Sequence, residues 1–98
     1  MKHAALILVL TLAACAVAPG QERARARPGI VSLNPCTDAI LAEVADPDQI
    51  LALSHYSRDP AASSMDLAAA RRFPATGGTV EEIAALHPDL VLDGSFIA

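Results

Sequence analysis

Apolar residues occur along the chain in short blocks that predict alternating strands and helices. Blocks at residues 30–33, 50–53 and 90–92 are bounded by polar or turn-forming residues, which is typical of buried strands. The segments between these blocks have apolar residues at helical spacing. The pattern therefore predicts a strand-helix-strand-helix-helix-strand order.

The first predicted helix lies between the first two strands. Residues 34–35 break the strand, and Thr37 or Asp38 can then cap and start the helix. Residues 46–48 end it with an Asp-Pro-Asp sequence. Its apolar face is predicted to consist of three residues on one side: Ile40, Leu41 and Val44.

Two further helices are predicted between the second and third strands. Residues 66–72 form a short helix that Pro74 stops, and residues 76–78 form a turn that does not follow a strand. Thr79 caps the last helix, and Glu82, three residues on, completes a capping box. The apolar stripe of that helix consists of Val80, Ile83 and Leu86.

This element order is typical of an α/β fold. Strands that alternate with helices form a parallel sheet with right-handed crossovers, and such a sheet needs helices on both faces. The chain ends six residues after Leu92, with nothing to cover the last strand. About 78 residues follow the N-terminal leader, which is few for a parallel α/β core. We expect residues 29–98 to be the front part of a larger domain.

Residues 1–20 have the pattern of a secretion signal. Lys2 and His3 precede an apolar run that is shorter than the roughly 20 residues needed to span a bilayer. Residues 12–15 resemble a bacterial lipobox, in which Cys15 is lipidated and becomes the new N-terminus. Residues 18–20 offer an ordinary cleavage site before Gln21, and the sequence leaves both routes open. A polar spacer with three arginines follows, at residues 21–28.

Composition narrows the function classes. Of 98 residues, 53% are hydrophobic and 18% charged, which excludes a disordered tail, and the length allows one domain at most. Acidic residues outnumber basic ones 11 to 7 and only 3% are aromatic, so nucleic-acid binding is not expected. Cys36 is the only cysteine after the signal. It is either a small buried side chain or the partner of a cysteine beyond residue 98.

Three segments together resemble one protein family. Residues 30–38 and 50–60 resemble the first two strands and loops of periplasmic binding proteins for vitamin B12 and ferric siderophores, and residues 81–92 resemble their helix-Pro-Asp-strand segment. The resemblance covers residues 30–98. It implies two α/β lobes joined by a long helix, with ligand held between them, and this chain would supply most of the N-terminal lobe.

The resemblance also implies three site residues. In open α/β sheets, ligands bind beyond the carboxyl ends of the strands. Tyr56 matches a tyrosine that packs on the corrin ring in the B12-binding members, and Pro35 matches a proline that lines the same pocket. Glu81 matches a glutamate that pairs with arginines of the membrane permease. Each residue also has an alternative role without a ligand or partner. Tyr56 would be half-buried under its own loop, Pro35 would form a turn, and Glu81 would interact favourably with the helix dipole.

We therefore expect the substrate-binding component of an ABC importer for a cobalamin-type corrinoid or a ferric siderophore. It would be a periplasmic monomer, lipid-anchored or free, that contacts an inner-membrane permease, and it would be neither an enzyme nor a cofactor protein. No metal site is expected, and His55 is interpreted as a solvated loop residue. The alternatives are a non-functional remnant or a flavodoxin-like enzyme domain. The second lacks a Gly-x-Gly-x-x-Gly fingerprint, since residues 76–78 read Thr-Gly-Gly.

Export generates the first testable prediction. Mature protein recovered from the cell envelope should lack residues 1–14, because both cleavage routes remove them. Mass spectrometry of the N-terminus distinguishes a lipid-modified Cys15 from a free Gln21. Exported material that retains Met1 would contradict both routes.

Overall fold

The computed structural model describes residues 26–95. The strands are β1 (Ile30–Ser32), β2 (Ile50–Ser54), β3 (Ala75–Thr76) and β4 (Leu90–Leu92). The helices are α1 (Pro35–Val44), α2 (Leu67–Ala70) and α3 (Val80–Leu86), with single 3-10 turns at Pro47–Gln49 and His55–Arg58. The predicted signal, its cleavage sites and most of the arginine-bearing spacer lie outside the described residues.

The four strands form one parallel sheet in the order β3-β2-β1-β4. Val31 and Ser32 point to opposite faces of β1, and both are fully buried, so both faces of this strand are covered. Helix α1 contacts β1 and β2. The predicted α/β fold is confirmed.

Strand β3 was not predicted. Ala75 and Thr76 pair with Leu53 and Ser54 of β2, where the pattern indicated only a turn. The prediction that residues 76–78 do not follow a strand is therefore wrong. Two residues are too few to show the two-residue period of a strand, so no local pattern could reveal it.

Helix α1 starts at Pro35, earlier than the predicted Thr37 or Asp38. The backbone N–H of Cys36 donates to the Asn34 side chain at 2.8 Å, which makes Asn34 the N-cap. Proline fits the first helical position because its missing N–H would have no partner there. The same two residues that break the strand therefore also start the helix.

The buried face of α1 differs from the predicted one. Asp38 and Leu41 are buried, whereas Ile40 is 62% exposed and Val44 is 75% exposed. Helix α1 is rotated about its axis relative to the predicted orientation, because hydrogen-bond donors inside the fold bind the Asp38 carboxylate. A pattern of apolar residues alone places a carboxylate outside, so it predicted the wrong face.

The described core is small. Its central cluster consists of four buried apolar residues: Ile30, Leu41, Ile50 and Leu53. Four partly buried apolar residues pack against this cluster: Ala45, Met65, Phe73 and Leu92. The apolar block of β4 is typical of a buried strand, but Leu90 is 46% exposed and Val91 is 41% exposed, in line with the expectation that the last strand lacks a cover. Within residues 26–95, β4 pairs with β1 alone, so its other edge is open there.

The last two helices are short. The side chain of Asp66 caps α2 by accepting a hydrogen bond from the Ala69 N–H at 3.1 Å, and the helix ends at Ala70 rather than Arg72. Helix α3 starts after Thr79, as predicted, and its stripe residue Val80 is 78% exposed. None of the α3 residues is fully buried, so its apolar stripe is only partly covered.

The Pro-Asp pair before β4 has a structural role. The Gly29 N–H donates to the Asp89 carboxylate at 2.6 Å, and the Asp89 N–H donates to the Gly29 carbonyl at 2.8 Å. These two bonds join the start of β4 to the start of β1. They set the register in which Ile30 lies opposite Leu90.

The start of the described segment is fixed at the surface. Arg27 forms an ion pair with Asp46, and the Pro28 carbonyl accepts a hydrogen bond from the Gln49 side chain at 3.3 Å. The ion pair is more than half exposed on Arg27, so it contributes little stability. In residues 26–95, every helix falls short of the length and apolar content needed to cross a bilayer.

Candidate ligand-binding site

A pocket of about 430 Å³ opens at the carboxyl ends of β1 and β2. The loop after β1 and the segment after β2 form its two sides. Its lining residues are Leu33, Asn34, Pro35, Cys36, Tyr56, Ala62 and Ser64. This is the edge of the sheet where open α/β folds hold their ligands.

Pro35 and Tyr56 both line this pocket. Pro35 is the first residue of α1, and Tyr56 lies in the 3-10 turn that follows β2. Tyr56 is 48% exposed, so its ring is not covered by its own loop. The His55 ring lies 4.0 Å from the Tyr56 ring, centroid to centroid, with a 35° tilt. A flat apolar ring with a polar tip is thus open to a ligand.

Cys36 also lines the pocket, and its side chain is exposed. The alternative of a small buried side chain is therefore wrong. The position near the start of α1 directs the thiol toward the pocket, and its Sγ lies 3.7 Å from the Ser64 Oγ. Pairing with a cysteine beyond residue 98 stays a prediction.

Helix α1, which supplies Pro35 and Cys36 to the pocket, also carries a buried carboxylate. Asp38 has no exposed surface, and its Oδ2 accepts three hydrogen bonds. The donors are the Ser54 N–H at 3.0 Å, the Ser54 hydroxyl at 2.5 Å and the Ser57 hydroxyl at 2.6 Å. The Asp38 Oδ1 is also buried and has no hydrogen-bond partner among the described residues. One oxygen therefore makes all three bonds.

Sequence reasoning missed this cluster. The local pattern indicates Asp38 as a candidate helix cap and gives Ser54 and Ser57 no role. Asp38 lies four residues after the capping Asn34 and so shares its side of the helix, but this spacing does not indicate which donors Asp38 meets. Ser54 and Ser57 also flank the one aromatic residue of the loop.

The loop after β4 reaches the same end of the sheet. The Leu33 N–H donates to the Leu92 carbonyl at 2.9 Å. Gly94 lies so close to Asn34 that a Cβ at this position would be 2.7 Å from the Asn34 Nδ2. A larger residue at Gly94 would therefore displace the side chain that caps α1.

Glu81 and Glu82 lie in the first turn of α3 and have different surroundings. The Thr79 N–H donates to the Glu82 carboxylate at 3.3 Å, and the Glu82 N–H donates to the Thr79 hydroxyl at 3.2 Å. The predicted capping box is confirmed. The Thr76 hydroxyl also donates to Glu82, at 3.2 Å. Glu81 is exposed and does not line the pocket.

No group of three or more potential ligands is placed to hold a metal ion within residues 26–95. His55 is exposed, with its Nδ1 3.4 Å from the Thr76 carbonyl oxygen. His87 ends α3 in the left-handed conformation, with φ of 49°. Among the described residues, the site thus offers an aromatic face, apolar walls and neutral polar groups.

A parallel α/β sheet with a pocket at the carboxyl ends of its strands is the arrangement in which open α/β proteins hold small molecules. The family model described as periplasmic binding protein matches residues 30–98, and this chain belongs to that family. The match begins at the first residue of β1 and includes every strand and helix described above. Comparisons with curated proteins and with solved structures gave no match.

Membership of this family confirms the resemblance seen in the sequence and the general function that the resemblance implies. The matched region is the N-terminal portion of a binding protein of the B12 and siderophore type. The family binds substrates in the periplasm for ABC import and is not an enzyme family. A small-molecule ligand and a permease are its partners.

The capping box generates a pH prediction. The hydrogen bond from the Thr79 N–H lowers the pKa of Glu82 below its ordinary value, outweighing the opposing effect of desolvation. A lowered folded-state pKa gives stability that is present above the unfolded-state pKa and lost as the pH falls through the folded-state pKa. Wild type should therefore exceed Glu82→Gln in stability at neutral pH, and the difference should shrink on acidification.

Denaturant unfolding across a pH series measures this difference. Glu81→Gln is the matched control, since it removes the same charge from the same helical turn at a side chain that does not accept the Thr79 N–H. Equal losses in the two variants at neutral pH would show that the charge near the helix dipole, and not the charged acceptor of the Thr79 N–H, stabilises α3.

Proposed function

We propose that this chain supplies the N-terminal part of a binding protein for a cobalamin-type corrinoid or a ferric siderophore. One observation carries the proposal. Pro35 and Tyr56, from the ends of neighbouring strands, line the same pocket, and that pocket lies within the matched region. A corrin ring has an apolar face and amide edges, and the pocket offers an aromatic ring beside neutral polar side chains.

The size of the pocket limits how much of such a ligand it can cover. Small-molecule sites range from about 300 to 1,000 Å³, and this pocket of about 430 Å³ is near the lower limit. A macrocyclic ligand would extend beyond it and leave one side uncovered. We propose that a second α/β lobe, joined by a long helix, covers that side. Residues 29–98 would then supply one wall of the cleft.

Docking to the permease is proposed to use Glu81. Its side chain is exposed on the first turn of α3, while the neighbouring Glu82 is held in the capping box. From Pro28 onward the chain has ten acidic residues and three arginines, so its surface is negative overall. A negative surface attracts a basic partner, and arginine-carboxylate pairs also orient it.

Attachment to a membrane is proposed to depend on Cys15. Lipidation there would anchor the protein, and cleavage before Gln21 would release it into the periplasm. The spacer at residues 21–28 would separate the anchor from the folded domain in the first case.

The pocket generates an affinity prediction. In a form of the protein that carries both lobes, Tyr56→Ala should weaken binding of cyanocobalamin or of ferrichrome by about 2–3 kcal/mol, from lost ring burial and stacking. This corresponds to a rise in Kd of about 30- to 150-fold. Calorimetric titration measures it.

Tyr56→Phe is the matched control, because it keeps the ring and removes only the hydroxyl. It should bind within a few-fold of wild type. If one of the two probes binds tightly and Tyr56→Ala binds it equally well, Tyr56 does not face the ligand. If neither probe binds wild type, the proposed ligand classes are wrong.

The docking surface generates a separate prediction. Glu81→Ala in the two-lobe form should reduce permease binding without changing ligand affinity, because the residue is not part of the pocket lining. The reduction should diminish as salt rises, since exposed charge pairs are screened over about 10 Å at 0.1 M salt.

Pull-down by the permease at low and high salt measures this effect. Glu43→Ala, which removes an exposed glutamate from α1, is the matched control and should leave binding unchanged. Wild-type permease binding by Glu81→Ala at low salt would remove Glu81 from the interface.

A further inference from the structure

The buried Asp38 is a residue of one pocket wall's helix and is hydrogen-bonded to the segment that forms the other wall. It belongs to α1, the helix whose first residue is Pro35. Its Oδ2 accepts from Ser54 and Ser57, which lie on either side of Tyr56 in the chain. One carboxylate oxygen therefore connects the helix that holds one wall to the last residue of β2 and to the turn that holds the other wall.

The hydrogen bonds to Asp38 are short and strong enough to fix the relative positions of the residues that they join. Hydrogen bonds to a carboxylate are shorter and roughly twice as strong as neutral ones, and the two hydroxyl donors lie at 2.5 and 2.6 Å. Ser54 and Ser57 are buried, so water does not compete for the carboxylate there. The backbone of the turn is thereby held at two points, while Tyr56 projects outward and is 48% exposed.

We propose that Asp38 is a positioning residue that sets the separation of Pro35 and Tyr56, and so the width of the pocket. Its consequence for binding rests on the ligand-binding function proposed above. Asp38 does not line the pocket, so it acts through Tyr56 and not by contact with ligand.

The alternative is that Asp38 only stabilises the fold. The two roles differ in what happens to Tyr56 when the protein is still folded. If Asp38 positions the turn, loosening one of its bonds makes Tyr56 more accessible in the native state. If it only adds stability, Tyr56 is unchanged until the chain unfolds.

The chain provides its own probe, because Tyr56 is the only tyrosine and there is no tryptophan. Its fluorescence therefore reports one side chain. We would measure acrylamide quenching of the full 98-residue chain, with circular dichroism on the same samples, for wild type, Ser57→Ala, Asp38→Asn and the control Ser95→Ala. Ser95 is an exposed serine outside the cluster.

Ser57→Ala removes a single hydroxyl and is the decisive variant. Because Tyr56 is 48% exposed in the native state, release of the turn should raise the quenching constant by up to about twofold, with an unchanged circular dichroism spectrum. Asp38→Asn should raise it at least as much, and Ser95→Ala should not change it. Wild-type quenching in folded Ser57→Ala would overturn the proposal, whether or not Asp38→Asn folds.

Ligand titration separates this result from the proposed function. In the two-lobe form, Ser57→Ala should raise the Kd for cyanocobalamin or ferrichrome by about tenfold, as expected for loss of one charge-assisted bond. If neither probe binds wild type, the ligand assignment fails, and the quenching data still decide whether Asp38 positions Tyr56. If wild type binds and Ser57→Ala binds equally tightly, pocket width does not depend on Asp38.

Discussion

Burial of the Asp38 carboxylate is the constraint on which the site depends. A charged group removed from water is costly unless hydrogen bonds replace its hydration. Ser54 and Ser57 provide those bonds, and they do so only when α1, the end of β2 and the following turn are all in place. The carboxylate thus makes the geometry of three segments interdependent. Loss of one donor would leave the buried carboxylate with fewer of the hydrogen bonds that offset its removal from water.

Much of the fold could be predicted from local patterns. The three longer strands and the capping box of α3 each have a signal in adjacent residues, and the structure contains all of them. Strand β3 has two residues and exists only because β2 offers it a partner. The face of α1 depends on serines 16 and 19 residues away, so no periodicity within the helix could reveal it.

Some features of the candidate site could likewise be predicted from local sequence, and others depend on residues that are distant in the chain. Position relative to the strand ends was enough to place Pro35 and Tyr56 in adjacent loops, and the structure has them lining one pocket. Burial was one of two alternatives for Cys36, because free cysteines usually are buried, but the helix begins earlier than predicted and directs the thiol into the pocket. The Asp38 cluster requires knowledge of which polar residues meet across the fold. Local sequence does not contain that information.

The bonds between Gly29 and Asp89 also determine when the sheet can be completed. They join residues 60 positions apart, whereas Ile30 and its partner in β2, Ile50, are 20 apart. Closing the longer loop costs about 1 kcal/mol more chain entropy, so pairing of β1 with β2 is favoured first. In a form of this protein that is exported N-terminus first, the edge of β1 would stay unpaired until residues 89–92 follow it. An open strand edge can pair with another chain, so the pairing of β4 with β1 also covers an edge at which two unfinished chains could associate.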